Sequence, residues 1–575
     1  MKQFQKLGVA AAVASVAAGT VAEVSRTETG DLAIIPYYTV LDGVNTGMHI
    51  INTTDQTQVV KVRLRRATDS KDALDFNLVM SPRDEWTANI GAGGANGVVV
   101  TTNDTTCTVP AFPEGGAEMP STYSDGATEG YVEIIGMGQP TTELSHLAIG
   151  AEHTDAGVPF NCDIVRQNFY RVAPADVGDA LVRGTHTSDI VSSGVCTGVN
   201  TSIIGPVTAL GVCALGTAQN LTVMENADDN AFKVSFMLTD PAGGLEAGDN
   251  AVMVEGFSSA AMMTNQQPLS FGTDNTLDYD PLNFELPNLA YGAGTSSVAL
   301  RQASSDPSIL DGSMWDALAD DLDADSISND WAAFDTDTGT VNADWVVTLP
   351  GQYVMVDPIC ELYNTYSEAT NPAATACAAY LSAGGHDQNQ LPLLVASNVD
   401  GGALITGSNL NLWDREEQPL TGEETPPDIP EDELGFSPGG SSGDPDDPDV
   451  NVLLPHEVNV IAFGAADAES AVMSNVKLTV TPPAADRGWG RLDIESTNDM
   501  PMIWNVGVAD ADGAVDGGNL EPGVTGATGA FGAVADATDT AVVGFAVWQR
   551  TFADQAGNYG RMIEHSTITS GSTTR

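Results

Sequence analysis

The chain has 575 residues, 42% hydrophobic and 17% charged, a globular composition long enough for more than one core. Its 78 acids against 21 bases give a formal net charge of -57, which excludes binding to nucleic acid or an anionic bilayer through the general field. Acid excess with scarce lysine suits concentrated salt, where carboxylates hold hydrated cations, and a saline habitat is expected.

Lys2 and Lys6 precede the apolar run Leu7 to Ala18, and Thr20-Val21-Ala22 offers a small-x-small cleavage site before Glu23. Residues 1–22 therefore read as a secretory signal peptide, too short and too Ala-rich to span a membrane. Cleavage removes two lysines and leaves 19 bases against 78 acids, a net of 19 - 78 = -59. No later stretch is long and apolar enough for a membrane span. The expected destination lies across the inner membrane, at the cell surface, outside the cell or in the periplasm.

Residues 23–263 read as an N-terminal β-sandwich. Leu32 to Val40 is an apolar and aromatic strand with Pro36 marking an edge or bulge. Met48 to Asn52 follows a turn, and the run VVKVRLRR then alternates. Lys61, Arg63 and Arg65 point one way and Val60, Val62 and Leu64 the other, a half-buried strand. Leu74 to Met80 and Glu85 to Ile90 continue the meander. The loop Gly91 to Gly97 misses the spacing of a phosphate-cradling turn and reads as a hairpin loop. Gly130 to Ile135, Val234 to Leu238 and Ala251 to Glu255 are further strands.

Asn, Gln and Pro thicken across 264–292, the expected linker. Residues 293–575 read as a C-terminal β-sandwich, with strands at Trp345–Leu349, Tyr353–Val356, Val458–Phe463, Val476–Val480, Ile503–Val508 and Val542–Trp548. Short helices are expected over Leu310–Leu322 and over the Ala-rich run from Asn371-Pro372 to Gly384-Gly385. Between Asp414 and Asp449 thirteen acids and one base sit among Pro, Gly and Ser. Strands flank that tract on both sides, so 414–449 reads as a disordered acidic loop inside the second domain. The expected fold class is mainly β: two tandem antiparallel β-sandwich domains with long loops and few short helices.

The run DLAIIPYYTVLDGVNTGMHIINTTDQTQVVKVRLRRATDSKDALDFNLVMSPRDEW resembles the opening of an uncharacterised group of exported proteobacterial proteins, some labelled cell-surface proteins. WVVTLPGQYVMVD, LWDREE, HEVNVIAF and GWGRLDI are similar to later segments of that group. The resemblance implies an exported surface protein. It brings no catalytic residues to this chain.

Six cysteines in an exported chain imply three disulfides. Sequence neighbours propose Cys107–Cys162, Cys196–Cys213 and Cys360–Cys377 among the fifteen possible pairings, and no CxxC spacing suggests a metal cluster. Asp321, Asp323, Asp325 and Asp330 supply the oxygen-rich spacing of a calcium loop, although Ser326 and Ala332 stand where an EF-hand needs Gly and Glu. The alternative is a solvated acidic face. Asp337-Thr338-Gly339-Thr340 matches an aspartic peptidase tetrad without the second loop that chemistry needs. Gly256-Phe257-Ser258-Ser259-Ala260 lacks the second glycine of a nucleophile elbow. No catalytic residue is assigned, and no cofactor other than calcium.

Lys61, Arg63, Arg65, Arg66 and Lys71 gather five of the nineteen remaining bases within eleven residues. One reading is a solvent face paired with Asp69, Asp72 or Asp75. The other is a docking face for lipopolysaccharide phosphates, or for the acidic surface of another copy in a head-to-tail array. Trp315, Trp331, Trp345 and Trp413 fit either sugar stacking or core packing. The expected function is an exported, non-catalytic coat, matrix or surface-layer component, structural or adhesive, partnered by the cell envelope or its own copies. The alternatives are a carbohydrate-binding surface module and a secreted hydrolase, an aspartic peptidase or a glycosidase.

Overall fold

The computed structural model describes residues 23–25, 28–67, 72–119, 126–170, 224–240, 245–257, 289, 318, 321–336, 339–351, 405–416, 420, 450–452, 454, 456–464, 470–482, 486–496, 502–503, 533–534, 541–552 and 558–568. In chain order the first half supplies β1 (Glu23–Ser25), β2 (Leu32–Thr39), β3 (Asn45–Asn52), β4 (Gln58–Arg66), β5 (Asp72–Met80), β6 (Glu85–Ala92), β7 (Val98–Thr101), β8 (Cys107–Val109), β9 (Ala117–Glu118) and β10 (Glu129–Pro140). Helices α1 (His146–Ala151) and α2 (Cys162–Tyr170) follow, then β11 (Met224–Glu225), β12 (Phe232–Asp240), β13 (Leu245–Asn250) and β14 (Val252–Glu255). The second half supplies β15 (Ser326–Thr336), β16 (Gly339–Thr348), β17 (Ile405–Asp414), β18 (Val450–Val452), β19 (Val458–Phe463), β20 (Lys477–Val480) and β21 (Arg487–Ser496). It closes with β22 (Met502–Ile503), β23 (Ala533–Val534), β24 (Val543–Arg550), β25 (Tyr559–Glu564) and β26 (Ser566–Ile568).

The fold is mainly β and sandwich-like, built from several antiparallel sheets. One sheet runs β1-β14-β2-β10-β4-β5-β8 with β11 beside β10, and a second runs β13-β12-β3-β6-β7-β9. A third, ten-stranded sheet runs β18-β17-β21-β15-β16-β19-β20 and takes in β24, β25 and β26. One pairing in it, β19 with β20, is parallel, an exception to the expected antiparallel pattern. Strand β15 bends between two sets of partners: Ser326–Ala332 pairs with β21, and Ala333–Thr336 forms a hairpin with β16.

Periodicity explains the edges, and uniform burial marks the centre. In β3 burial alternates from residue to residue, as expected of a strand with one wet face. In β2 and β10 every residue is buried, so both faces are covered. Helix α1 starts at Ser145, whose side chain accepts from Ala148 N and satisfies one free N-terminal amide. Both helices cover one end of the first sheet, where Leu147, Ala151 and Val165 pack with Val59, Val79, Cys107 and Val109. Cys107 and Cys162 form the expected disulfide there, joining β8 to α2. Cys196, Cys213, Cys360 and Cys377 lie outside the described residues.

One core cluster is shared by the two expected sandwiches, beside a second cluster built from the second half alone. One buried cluster contains Leu32, Ile34, Val62 and Phe236 from the first half, with Val346, Val460, Val543 and Phe545 from the second. The Phe236 and Phe545 ring centroids are 5.7 Å apart, and Thr348 Oγ1 donates to Pro36 O at 2.6 Å. Leu289, inside the expected linker, is fully buried in the same cluster. The rest of 264–292 lies outside the described residues. So do residues 1–22, the strand expected at Tyr353–Val356, the helix expected after Asn371 and nearly all of 414–449.

Two buried carboxylates fasten the segment Ser470 to Val476 between the halves. Glu129 in β10 accepts from Ser474 Oγ at 2.7 Å, Asn475 N at 3.0 Å and Tyr37 Oη at 2.9 Å. Asp344 in β16 accepts through Oδ2 from Ser470 Oγ at 2.5 Å and Val472 N at 3.0 Å. Burial raises the pKa of both, with Asp344 pushed from 3.8 to about 6.

Candidate functional site

The cationic strand is not a surface. Lys61, Arg63 and Arg65 are fully buried, which corrects the expectation of a solvent-facing docking face. Alternation holds, but the face that carries these bases is roofed. At one end lie the two helices, on the side that Val59 shares with Lys61 by parity. At the other, Tyr131 Oη stands 3.2 Å from Oε1 of both Glu133 and Glu457, the latter from the second half. Neutralisation comes from the flanking strands. Lys61 Nζ meets Asp75 Oδ2 at 2.9 Å and Arg63 Nη2 reaches the same oxygen at 3.2 Å. Arg65 Nε lies 3.3 Å from Glu133 Oε1. Register places Arg63 directly between Asp75 on β5 and Glu133 on β10. Of the named acids Asp75 is the partner; Asp69 and the Asp72 side chain are outside the described residues. Arg66 is half-buried opposite Gly130, and Lys71 lies outside the described residues.

The four calcium candidates do not converge. Asp325 precedes β15, and Asp330 lies five residues along it, about 17 Å away at ~3.3 Å per strand residue. Asp330 Oδ2 is held at 3.4 Å by Arg561 Nη2. Asp321 and Asp323 border a separate cavity of about 230 Å³ with Glu564 and His565. There His565 Nδ1 is 3.0 Å from Asn329 Nδ2 and Nε2 is 2.9 Å from Val346 O, so both ring nitrogens are engaged. Burial raises the Asp321 carboxyl pKa. Among the described residues no three His, Cys, Asp or Glu side chains gather to hold a metal ion.

What the structure does assemble is a groove of about 760 Å³ lined by residues of β15, β16, β17, β21, β24 and β25 of the third sheet. Trp413 of β17 and Trp489 of β21 are register partners, and their rings stack 4.1 Å apart at 9°. A Cβ on Gly488 would overlap the Trp413 carbonyl oxygen, so glycine is what lets these strands close beneath the pair. Trp489 is 40% exposed. Trp548 of β24 and the half-exposed Tyr559 of β25 border the groove with it. Trp548 Nε1 has no hydrogen-bond partner among the described residues.

Arginines complete the lining. Arg561 lies 4.3 Å over the Trp548 ring, Arg550 4.8 Å over Phe552 and Arg487 6.0 Å over Phe334. Arg415, Asp330 and Asp414 also border the groove, and Asp414 Oδ1 accepts from Glu416 N at 2.9 Å. The floor is rigid. Trp331 and Trp345 are fully buried against Phe463, and their Nε1 atoms donate to Trp489 O at 3.1 Å and Asp330 O at 2.8 Å. Of the four tryptophans named for sugar stacking, then, two are core, Trp413 stacks on the groove residue Trp489, and Trp315 lies outside the described residues. Trp489, Trp548 and Tyr559 escaped the sequence reading, although GWGRLDI contains Trp489.

No family model matches the chain, and no curated protein or solved structure is similar to it.

Proposed function

We propose that this chain is an exported, non-catalytic surface protein whose adhesive or structural role works through carbohydrate binding in the third-sheet groove. The single observation behind this is a groove bordered by Trp489, Trp548 and Tyr559, with the exposed Trp489 stacked on Trp413. Aromatic faces carry negative charge and pack against the slightly positive C–H face of a sugar ring, while flanking polar groups fix its orientation. A rigid floor keeps the entropy loss on binding small. The leading basic and apolar segment supports export.

The test is titration of the intact chain with oligosaccharides, followed by tryptophan fluorescence and calorimetry. Binding should be lost in Trp489→Ala, with the melting temperature unchanged. Full binding by that variant rejects the groove. A glycosidase is the second reading, because Asp330 and Asp414 border the same groove. It predicts new reducing ends during a long incubation, whereas a binding protein releases none.

A further inference from the structure

We propose that the groove selects glycans bearing uronate carboxylates. This rests on the carbohydrate reading above and adds the chemistry of the sugar. Four of the chain's 21 bases, Arg415, Arg487, Arg550 and Arg561, border this one groove. In a chain with 78 acids, carboxylate partners for arginine are abundant. Yet only Arg561 has one here, Asp330; Arg415, Arg487 and Arg550 meet no carboxylate among the described residues. Arg487 and Arg550 lie over aromatic rings instead. A guanidinium seated on a ring spends its face and keeps its N–H edge available, and that planar edge matches a carboxylate bidentately. The Trp489 face would take the pyranose ring while an adjacent arginine edge takes its carboxylate.

Asp330 and Asp414 also border the groove, acceptors for the hydroxyls that each uronate residue keeps and poly-glutamate lacks. The net charge of -57 repels any polyanion at long range, so recognition is a contact property of the groove. At ~0.15 M salt, with a Debye length of about 8 Å, that long-range repulsion is screened while contact pairs persist.

The experiment is calorimetric titration of the full chain at that ionic strength with four probes: alginate oligosaccharides, neutral dextran oligosaccharides, dextran sulfate and poly-glutamate. Alginate should bind about tenfold more tightly than dextran, the scale of one charge-assisted contact. Arg487→Gln with Arg550→Gln should erase that preference, so that alginate binds no more tightly than dextran. Arg487→Lys with Arg550→Lys should recover only part of it, since an ammonium lacks the fork. Equal binding of alginate and dextran overturns the uronate inference and leaves the carbohydrate reading standing. Dextran sulfate or poly-glutamate matching alginate also overturns it, because charge alone would then suffice; poly-glutamate would assign the groove to acidic polypeptide, the 414–449 tract included. Failure of every glycan removes the carbohydrate reading itself. Unchanged far-UV dichroism and melting in the arginine variants guards against misfolding.

Discussion

The Lys61 ammonium lies 2.9 Å from the Asp75 carboxylate, and neither side chain is exposed. Asp75 serves two cations, because Arg63 reaches the same oxygen. Removing a shared partner strands buried charge, which costs more than the pair gains by existing. Asp75→Asn should therefore destabilise the fold by about 3–5 kcal/mol in chemical denaturation. Asp55→Asn is the contrast. The Arg83–Asp55 pair is exposed, and losing it should leave the denaturation midpoint where it was. An unchanged midpoint for Asp75→Asn would show that solvent reaches the cluster.

That pair shows where the sequence could be read and where it could not. Alternation in VVKVRLRR correctly separates Val60, Val62 and Leu64 from Lys61, Arg63 and Arg65, because a strand's side-chain period is local. Whether the charged face is wet depends on Asp75, Glu133 and Glu457 arriving from other strands, and Glu457 is almost four hundred residues away. Strands such as Val458–Phe463 were legible to the residue, since an apolar run bounded by polar turns needs no partner to be seen. Strand β15 was hidden by Asp330 and the aspartates just before it, which read as a calcium loop although Ile327 and Trp331 carry the core face. The groove was half legible. Trp413 was singled out, but its partner Trp489 is set by β17–β21 register, a relation no local pattern encodes.

The Cys107–Cys162 disulfide closes a loop across a sequence separation of 55. It joins β8 to α2 over a satellite cluster distinct from the main core. Loop-closure entropy for that length gives about 4 kcal/mol of stabilisation. Cys107→Ser with Cys162→Ser should lower stability by that order. Proteolysis should then begin near α1 and α2 ahead of the sheets, detectable as fragments ending between Pro140 and Tyr170. Loss of the sheets first would mean the bridge braces the main core.

Asp344 should give the fold a pH dependence of unusual sign. Its folded pKa is raised by burial to about 6 from 3.8. The unfolded chain gives up this proton near pH 4 while the folded protein keeps it to about pH 6, so the folded state binds more protons in between. Stability from this group is fully present below pH 4 and is lost as pH rises through 6, by about 3 kcal/mol. Glu129 is shifted in the same direction by the same cause and adds to the effect. Asp344→Asn mimics the protonated carboxyl and still accepts from Ser470 and Val472. Denaturation between pH 4 and 7 should show a shallower fall in the variant than in the parent; identical slopes would assign the buried site an ionised carboxylate throughout.

Tryptophans on β16 and β17 should separate stability from binding. Trp345 is fully buried, packs on Phe463 and holds Asp330 O by its indole N–H. Trp413 is half-buried and rests on the exposed Trp489. Trp345→Ala opens a cavity and leaves that carbonyl without its donor, so it should cost about 3–5 kcal/mol. Any effect on glycan affinity would follow global unfolding and vanish where the variant is still folded. Trp413→Ala should cost far less stability but leave Trp489 without its backing ring, free to take rotamers that no longer face the groove. Its glycan affinity should fall by about tenfold, with the parent melting curve. Far-UV dichroism supplies an independent readout, because the strong transitions of two indoles stacked 4.1 Å apart couple as an exciton pair that truncation at 413 or 489 abolishes. If Trp413→Ala lost the coupling yet bound sugar normally, Trp489 alone would be the platform and the stack merely a packing contact.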